Sequence, residues 1–328
     1  MVLKEDKLFD NSDYNKGLVH ARFLEYDKAY RCMLNAKQAK AQDLTILNSL
    51  LFISNKTKNL EQTFIVAKQI LMIIEQKYHD QPNHPSMANS YNDLGNAYFA
   101  KGEYNRAKEF CLLSLDIRQK AYENNPNHPD LAANYNNLGM IYSTNKRYDQ
   151  AIKFYVKELR IWLKICKDSY AYPSIAICYN NLGNVYANKG EYAQAIKYHN
   201  AALEGRIKAY ENTRPNHPDI AGSYGNLATI YYHIGDYNKA FEYYELALEM
   251  LLRVYSNSLN HPDIAGCYNN LGRTYSAVGG YDRAIVCYDE ALKIQQKIYY
   301  GIAYHPDIAT TYNNFGITYS AKRESVCH

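Results

Sequence analysis

The residues best suited to chemistry are a recurring set of side-chain amides. Directly after six regularly placed tyrosines (Tyr91, Tyr135, Tyr179, Tyr224, Tyr268 and Tyr312) stand Asn92-Asp93, Asn136-Asn137, Asn180-Asn181, Gly225-Asn226, Asn269-Asn270 and Asn313-Asn314. A carboxamide carries both a donor and an acceptor, so it can bond the N–H and C=O of another chain without asking for a particular side chain. The same group can instead cap or bond a neighbouring turn within its own structure.

Other reactive types fall into patterns that do not make a reaction centre. His84, His128, His217, His261 and His305 each precede a proline, one per copy of the pattern. Copies one helix diameter apart lie roughly 10 Å from each other, whereas zinc-bound imidazole nitrogens sit about 2 Å from a shared ion. These histidines therefore do not form one metal site, and no metal or cofactor is expected. The seven cysteines are odd in number with no Cys-x-x-Cys pair, which suggests neither a disulfide framework nor a zinc site and fits reduced thiols in the cytoplasm. No Gly-rich phosphate loop, Gly-x-Ser-x-Gly elbow or His-Glu-x-x-His is present, so the sequence reads as non-enzymatic.

The elements that must position the asparagines follow from a repeat. His84-Pro85, His128-Pro129, Tyr172-Pro173, His217-Pro218, His261-Pro262 and His305-Pro306 are spaced by 44 or 45 residues, a period that marks a repeat array. Counting each copy so that its tyrosine is position four, Tyr179, Leu182 and Tyr186 line one face of a first helix. After the break at Lys189-Gly190, residues Tyr192, Ala195, Ile196, Ala202 and Leu203 line a second helix, with alanines where helices cross closely. Gly139, Gly183 and Gly272 stand where close approach is needed. Every proline lies between hairpins. Proline suits the first helical position, and Asp130, Asp219, Asp263 and Asp307 complement the positive end of the helix dipole. The 35 tyrosines are assigned chiefly to helix packing.

Large aromatic, Leu-Gly, Tyr, then Gly-x-Tyr, Ala and Ala at these offsets resembles the tetratricopeptide repeat. The usual repeat is about 34 residues; the longer period, with His-Pro-Asp-Ile-Ala opening the first helix and Asn-Asn-Leu within it, is similar to the kinesin light chain branch. The resemblance covers roughly residues 80 to 320 and implies an all-α, right-handed superhelical α-solenoid of helix-turn-helix repeats. It implies further that position six (Asp93, Asn137, Asn181, Asn226, Asn270 and Asn314) faces a concave groove as an asparagine ladder gripping an extended peptide of a protein partner. For position five, the local role of asparagine is preferred. Position nine varies (Asn96, Met140, Asn184, Thr229, Arg273, Ile317) and supplies specificity, with Asn184 and Arg273 added to the candidate peptide-binding set. Arg273 stands almost alone among groove cations, which speaks against capture of chaperone tails. Two alternatives remain: a regulatory peptide receptor that changes curvature on binding, and an RNA-binding helical repeat of the pentatricopeptide kind. No heptad region like that by which kinesin light chains join the motor is present.

Along the chain, residues 1–87 read as degenerate repeats, 88–308 as five regular repeats of about 44 residues, and 309–328 as a half repeat with a disordered tail after Ala321. In the first segment Gly17, His20, Tyr26, Ala29, Met33 and Ala36 fall at the repeat's positions, and the step from Tyr26 to Leu60 is 34 residues. The half repeat leaves Tyr312, Phe315 and Tyr319 without a following helix, so self-association through this end, or its occupation by a partner helix, is expected. A net charge of +4 is too small to predict nucleic-acid binding. The most apolar run, Ile65 to Ile74, is interrupted by Lys68 and Gln69 and too short to span a membrane.

Overall fold

The computed structural model describes residues 12–22, 25–167, 172–302 and 304–326. Among them it shows fifteen α-helices and no strand, in two compact units, Met1–Ile161 and Trp162–His328. The first unit contains α1 (Ser12–Arg22), α2 (Tyr26–Ala39), α3 (Leu44–Lys56), α4 (Leu60–Lys77), α5 (Pro85–Ala100), α6 (Tyr104–Ala121), α7 (Pro129–Thr144) and most of α8 (Tyr148–Ile165). The second contains α9 (Pro173–Lys189), α10 (Tyr192–Tyr210), α11 (Pro218–His233), α12 (Tyr237–Val254), α13 (Pro262–Ala277), α14 (Tyr281–Ile298) and α15 (Pro306–Val326). Within the units α1 pairs with α2, α3 with α4, α5 with α6, α9 with α10, α11 with α12 and α13 with α14. The degenerate beginning folds the same way, α1 against α2, with Gly17 pressed on Met33.

The helices start and stop where the residue chemistry requires. Proline occupies the first helical turn of α5, α7, α9, α11 and α13. The sharp return from α9 to α10 is made by Gly190, whose φ of 84° lies in the left-handed region that side chains disfavour. The second helices run to 18 or 19 residues, so the added length of each copy is helix, as the continued apolar spacing predicts. Their alanines, Ala107, Ala151, Ala195, Ala240 and Ala284, are fully buried, and Leu138, Leu182 and Leu227 of the first helices likewise have no exposed area. Burying one such leucine is worth about 2 kcal/mol. The C-terminal helix departs from the expectation: α15 continues as helix through Val326 instead of ending near Ala321, and Lys322 bonds Asp282 of α14. Residues 327 and 328 lie outside the described residues.

The His-Pro loops carry a device that the spacing alone does not reveal. Each of His84, His128, His217, His261 and His305 precedes its helix and accepts, at Nδ1, the backbone N–H two residues on, at 3.1 to 3.3 Å. Its ring stacks on the tyrosine that ends the previous second helix, with centroids 3.4 to 3.7 Å apart for Tyr78, Tyr122, Tyr210, Tyr255 and Tyr299. Four of these tyrosines also donate their hydroxyls to the following aspartate, as Tyr122 does to Asp130 at 2.8 Å. Cap, stack and hydroxyl join consecutive hairpins at one point. The remaining loop has Cys166 and Tyr172 at the two ring positions, and Tyr172 provides no side-chain cap. Removing a cap and a stacked ring together costs about 1 to 3 kcal/mol. His128→Ala is therefore expected to lower the thermal midpoint measurably, whereas Tyr172→Ala, which removes neither contact, leaves it close to the parent in the same melting experiment.

Candidate peptide-binding face

The first helices bring the predicted asparagines into rungs. Asn137 Nδ2 donates to Asn92 Oδ1 at 2.9 Å between α7 and α5, Asn226 to Asn180 at 2.8 Å between α11 and α9, and Asn314 to Asn269 at 2.9 Å between α15 and α13. A position-six amide in one copy is thus held by a position-five amide in the copy before. Each position-six side chain in these pairs retains an oxygen and a second N–H. Position five, read from sequence as local, is the acceptor that orients its neighbour. Asn181 and Asn184 lie on α9, Asn184 exposed.

One rung is missing. The copy containing Asn270 is preceded by Gly225, which has no side chain to offer, and among the described residues no group bonds the Asn270 carboxamide. The first helical face here opens into two adjoining cavities, both within the second unit. One, of about 590 Å³, is lined by Asn270, Arg273 and Asn314 with Tyr232, Tyr288 and Thr318 among others. The other, of about 490 Å³, is lined by Asn226, Asn270, Gly222, Gly225 and Gly266 with Tyr244 and Leu251. Asn226, Asn270, Asn314 and Arg273 are therefore brought together, and Asn181 and Asn184 line neither cavity. Arg273 lies over the Tyr232 ring, 5.0 Å from its centroid, and has no carboxylate within ion-pair distance among the described residues.

Sequence reasoning did not find the tyrosines at this face. A Cβ at Gly139 would meet Tyr155 at 2.6 Å, one at Gly183 would meet His199 at 2.7 Å, and one at Gly272 would meet Tyr288 at 2.6 Å. The close approach predicted at these glycines is thus made by a side chain of the second helix. In the copy where Ala228 replaces the glycine, the Tyr244 hydroxyl lies 2.9 Å from the position-nine Thr229 Oγ1. The glycine and the aromatic ring sixteen residues later were the available signal. His199 is shorter than tyrosine; it is fully buried with Nδ1 unbonded, and burial together with nearby Arg206 pushes its pKa down to about 4, so the ring is neutral.

In the first unit, the position-six residue Asp93 is an aspartate in a desolvated setting. Burial pushes its carboxyl up to about 6, against a smaller opposing pull from Arg118. Arg118 is itself buried and donates to the Asp130 carbonyl at 2.9 Å, to Asn89 at 2.8 Å and to Asn134. A carboxyl whose pKa is raised in the folded state is penalised when ionised, so it detracts from stability above pH 6, and stability rises as pH falls from about 6 toward the ordinary carboxylate range near 4. Asp93→Asn is expected to raise stability at pH 7 by about 1 to 2 kcal/mol. Urea unfolding at pH 4.5 and pH 7 tests this: the gain should be clearly smaller at the lower pH.

Among the described residues there is no group of three or more His, Cys, Asp or Glu side chains placed to hold a metal, and no helix long and apolar enough to cross a membrane. Helical hairpins repeated side by side, each burying its face on the next, define an α-solenoid. The tetratricopeptide repeat model matches residues 82–164, 174–253, 219–297 and 263–325, and the chain belongs to the tetratricopeptide repeat family. Solved structures with the same fold include BtubC (BKLC) from P. vanneervenii, 22% identical with a TM-score of 0.56 over 76% of this chain and 94% of that one. A putative kinesin light chain with nearly identical TPR-like repeats from Podosopora anserina is 22% identical, with a TM-score of 0.54 over 66% of this chain and 99% of that one. A tetratricopeptide repeat protein from Parabacteroides merdae is 14% identical, with a TM-score of 0.56 over 94% of this chain and 97% of that one. No curated protein matches the chain by sequence.

Proposed function

We propose that this protein is a non-enzymatic, cytoplasmic scaffold that holds an extended peptide segment of a partner protein along its first-helix face. The observation that carries the reading is the pair of adjoining cavities lined by Asn226, Asn270, Asn314 and Arg273, with the Asn270 carboxamide unbonded among the described residues. Spacing between helices of neighbouring copies, roughly 10 Å, corresponds to about three residues of extended chain. Successive asparagines can then bond main-chain amides three residues apart, and Arg273 adds one contact to a carboxylate of the ligand. Asp93 and Asn137 in the first unit, and Asn181 and Asn184 on α9, extend the same kind of surface on their own helices.

Salt separates this reading from RNA binding. Affinity for a randomised, end-blocked nonapeptide mixture should change little between about 50 and 200 mM salt, whereas RNA held through phosphates would weaken by orders of magnitude. A steep salt slope, or tighter binding of single-stranded RNA than of the peptides, would contradict it.

We also propose that the outer face of α15 pairs with a second copy. Tyr312 and Tyr319 there are 55% and 52% exposed, an unusual state for repeat-packing tyrosines. Sedimentation of the parent should show dimer growing with concentration and lost in Tyr312→Asp; a strict monomer throughout the range removes this part.

A further inference from the structure

The helix-interior glycines whose surroundings are described include two kinds. Gly95, Gly139, Gly183 and Gly272 are filled from outside, with neighbouring atoms 2.6 to 2.8 Å from where a Cβ would be. Gly222, Gly225, Gly266 and Gly316 have nothing within 4 Å of that position. A glycine in a helix interior is destabilising relative to alanine, so in the second kind that disadvantage is accepted with no packing return inside the chain. Of these four, Gly222, Gly225 and Gly266 line the same cavity of about 490 Å³. At its base lie Ala221, Ala247 and Leu251, all buried. Asp263 and Asp307 also line it. Each of these carboxylates accepts one tyrosine hydroxyl, from Tyr255 and Tyr299, and their only ion-pair partners among the described residues are the loop histidines His261 and His305.

Resting on the peptide-binding reading above, we propose that this cavity is the seat of one lysine or arginine side chain of the bound peptide. The aliphatic stem of such a side chain suits the apolar base, and its cationic head suits two carboxylates. Leucine or phenylalanine would leave the carboxylates unanswered, and an acidic residue would be repelled. The bare wall of Gly222, Gly225 and Gly266 lets the peptide main chain come closer than any side chain would permit. Gly225 has a second effect. By removing the position-five amide that elsewhere holds the next rung, it leaves Asn270 free to bond that main chain with its donor and its acceptor.

The test uses the full chain and end-blocked nonapeptide pools, randomised at eight positions with the central residue fixed as Arg, Lys, Leu or Asp, read by fluorescence anisotropy. The Arg and Lys pools are expected to bind at least about tenfold more tightly than the Leu and Asp pools, and Asp263→Asn with Asp307→Asn should abolish that preference while keeping the tyrosine hydrogen bonds. Gly222→Ala, Gly225→Ala and Gly266→Ala combined should melt higher than the parent and yet bind the Arg pool at least about tenfold more weakly. A triple variant that melts higher and binds as the parent does would overturn the seat, as would equal binding of all pools. In either case the groove itself would stand. Pools none of which bind would overturn the peptide groove and the seat together.

Discussion

Gly272→Leu is expected to be the most damaging single substitution in the second unit. Its first side-chain carbon would lie 2.6 Å from Tyr288 Cε1 and 2.8 Å from Cδ1. Tyr288 is only 1% exposed and cannot swing away without opening the contact between α13 and α14. Overpacking a tight core costs about 1 to 3 kcal/mol, and expulsion of a buried aromatic ring approaches the 3 to 5 kcal/mol of a large-to-small change. We expect a loss of about 3 to 5 kcal/mol, seen as a large drop in the urea midpoint. Gly316→Ala is the matched control, because nothing lies within 4 Å of its Cβ position. It should be neutral or slightly stabilising, since alanine is the better helix former. Ala228, at the position equivalent to Gly272, shows that one methyl can be accommodated over Tyr244, so Gly272→Ala should fall between the two.

Asn226→Ala, Asn270→Ala and Asn314→Ala together are expected to weaken peptide binding about a hundredfold, because each net hydrogen bond contributes about 1 kcal/mol. The three do not act alike on stability. Removing Asn314 strips a donor from Asn269, which is 8% exposed, and leaving a buried acceptor unpaired costs about 1 to 3 kcal/mol. Asn226 similarly holds Asn180. The Asn270 side chain bonds nothing among the described residues, so Asn270→Ala should lower affinity about fivefold with the melting curve unchanged. Calorimetric titration beside thermal melts separates the two effects. A folded triple variant with parental affinity would remove the asparagines from binding.

The fold was legible because the repeat is stated many times over. Tyr179, Leu182 and Tyr186 can share a face only on a helix, and Pro173 with Gly190 marks where that helix begins and turns. The glycine contacts were legible as close approaches, although not as slots for Tyr155, His199 and Tyr288, because a ring sixteen residues away has no local pattern to announce it. The loop histidines were the larger omission. Their caps and stacks depend on a tyrosine six or seven residues upstream, across a polar turn where helical periodicity no longer guides the eye. Position-six asparagines could be placed on one helical face from spacing, but their partners at position five lie 45 or 46 residues away in sequence. The continuation of α15 past Ala321 was hidden because that stretch matches no other copy and is held by Lys322 on Asp282.

The central claim is that ligand lies along the first helices of the second unit. Site-specific photocrosslinking tests it most directly, with a benzophenone amino acid placed singly at Ile317, which lines the cavity beside Asn270 and Arg273, or at Glu245, exposed on α12. With a biotinylated form of the nonapeptide mixture, crosslinking is expected at 317, suppressed by excess unlabelled peptide, and absent at 245. Labelling at 245 with none at 317 would place the ligand on the opposite helices and contradict the account.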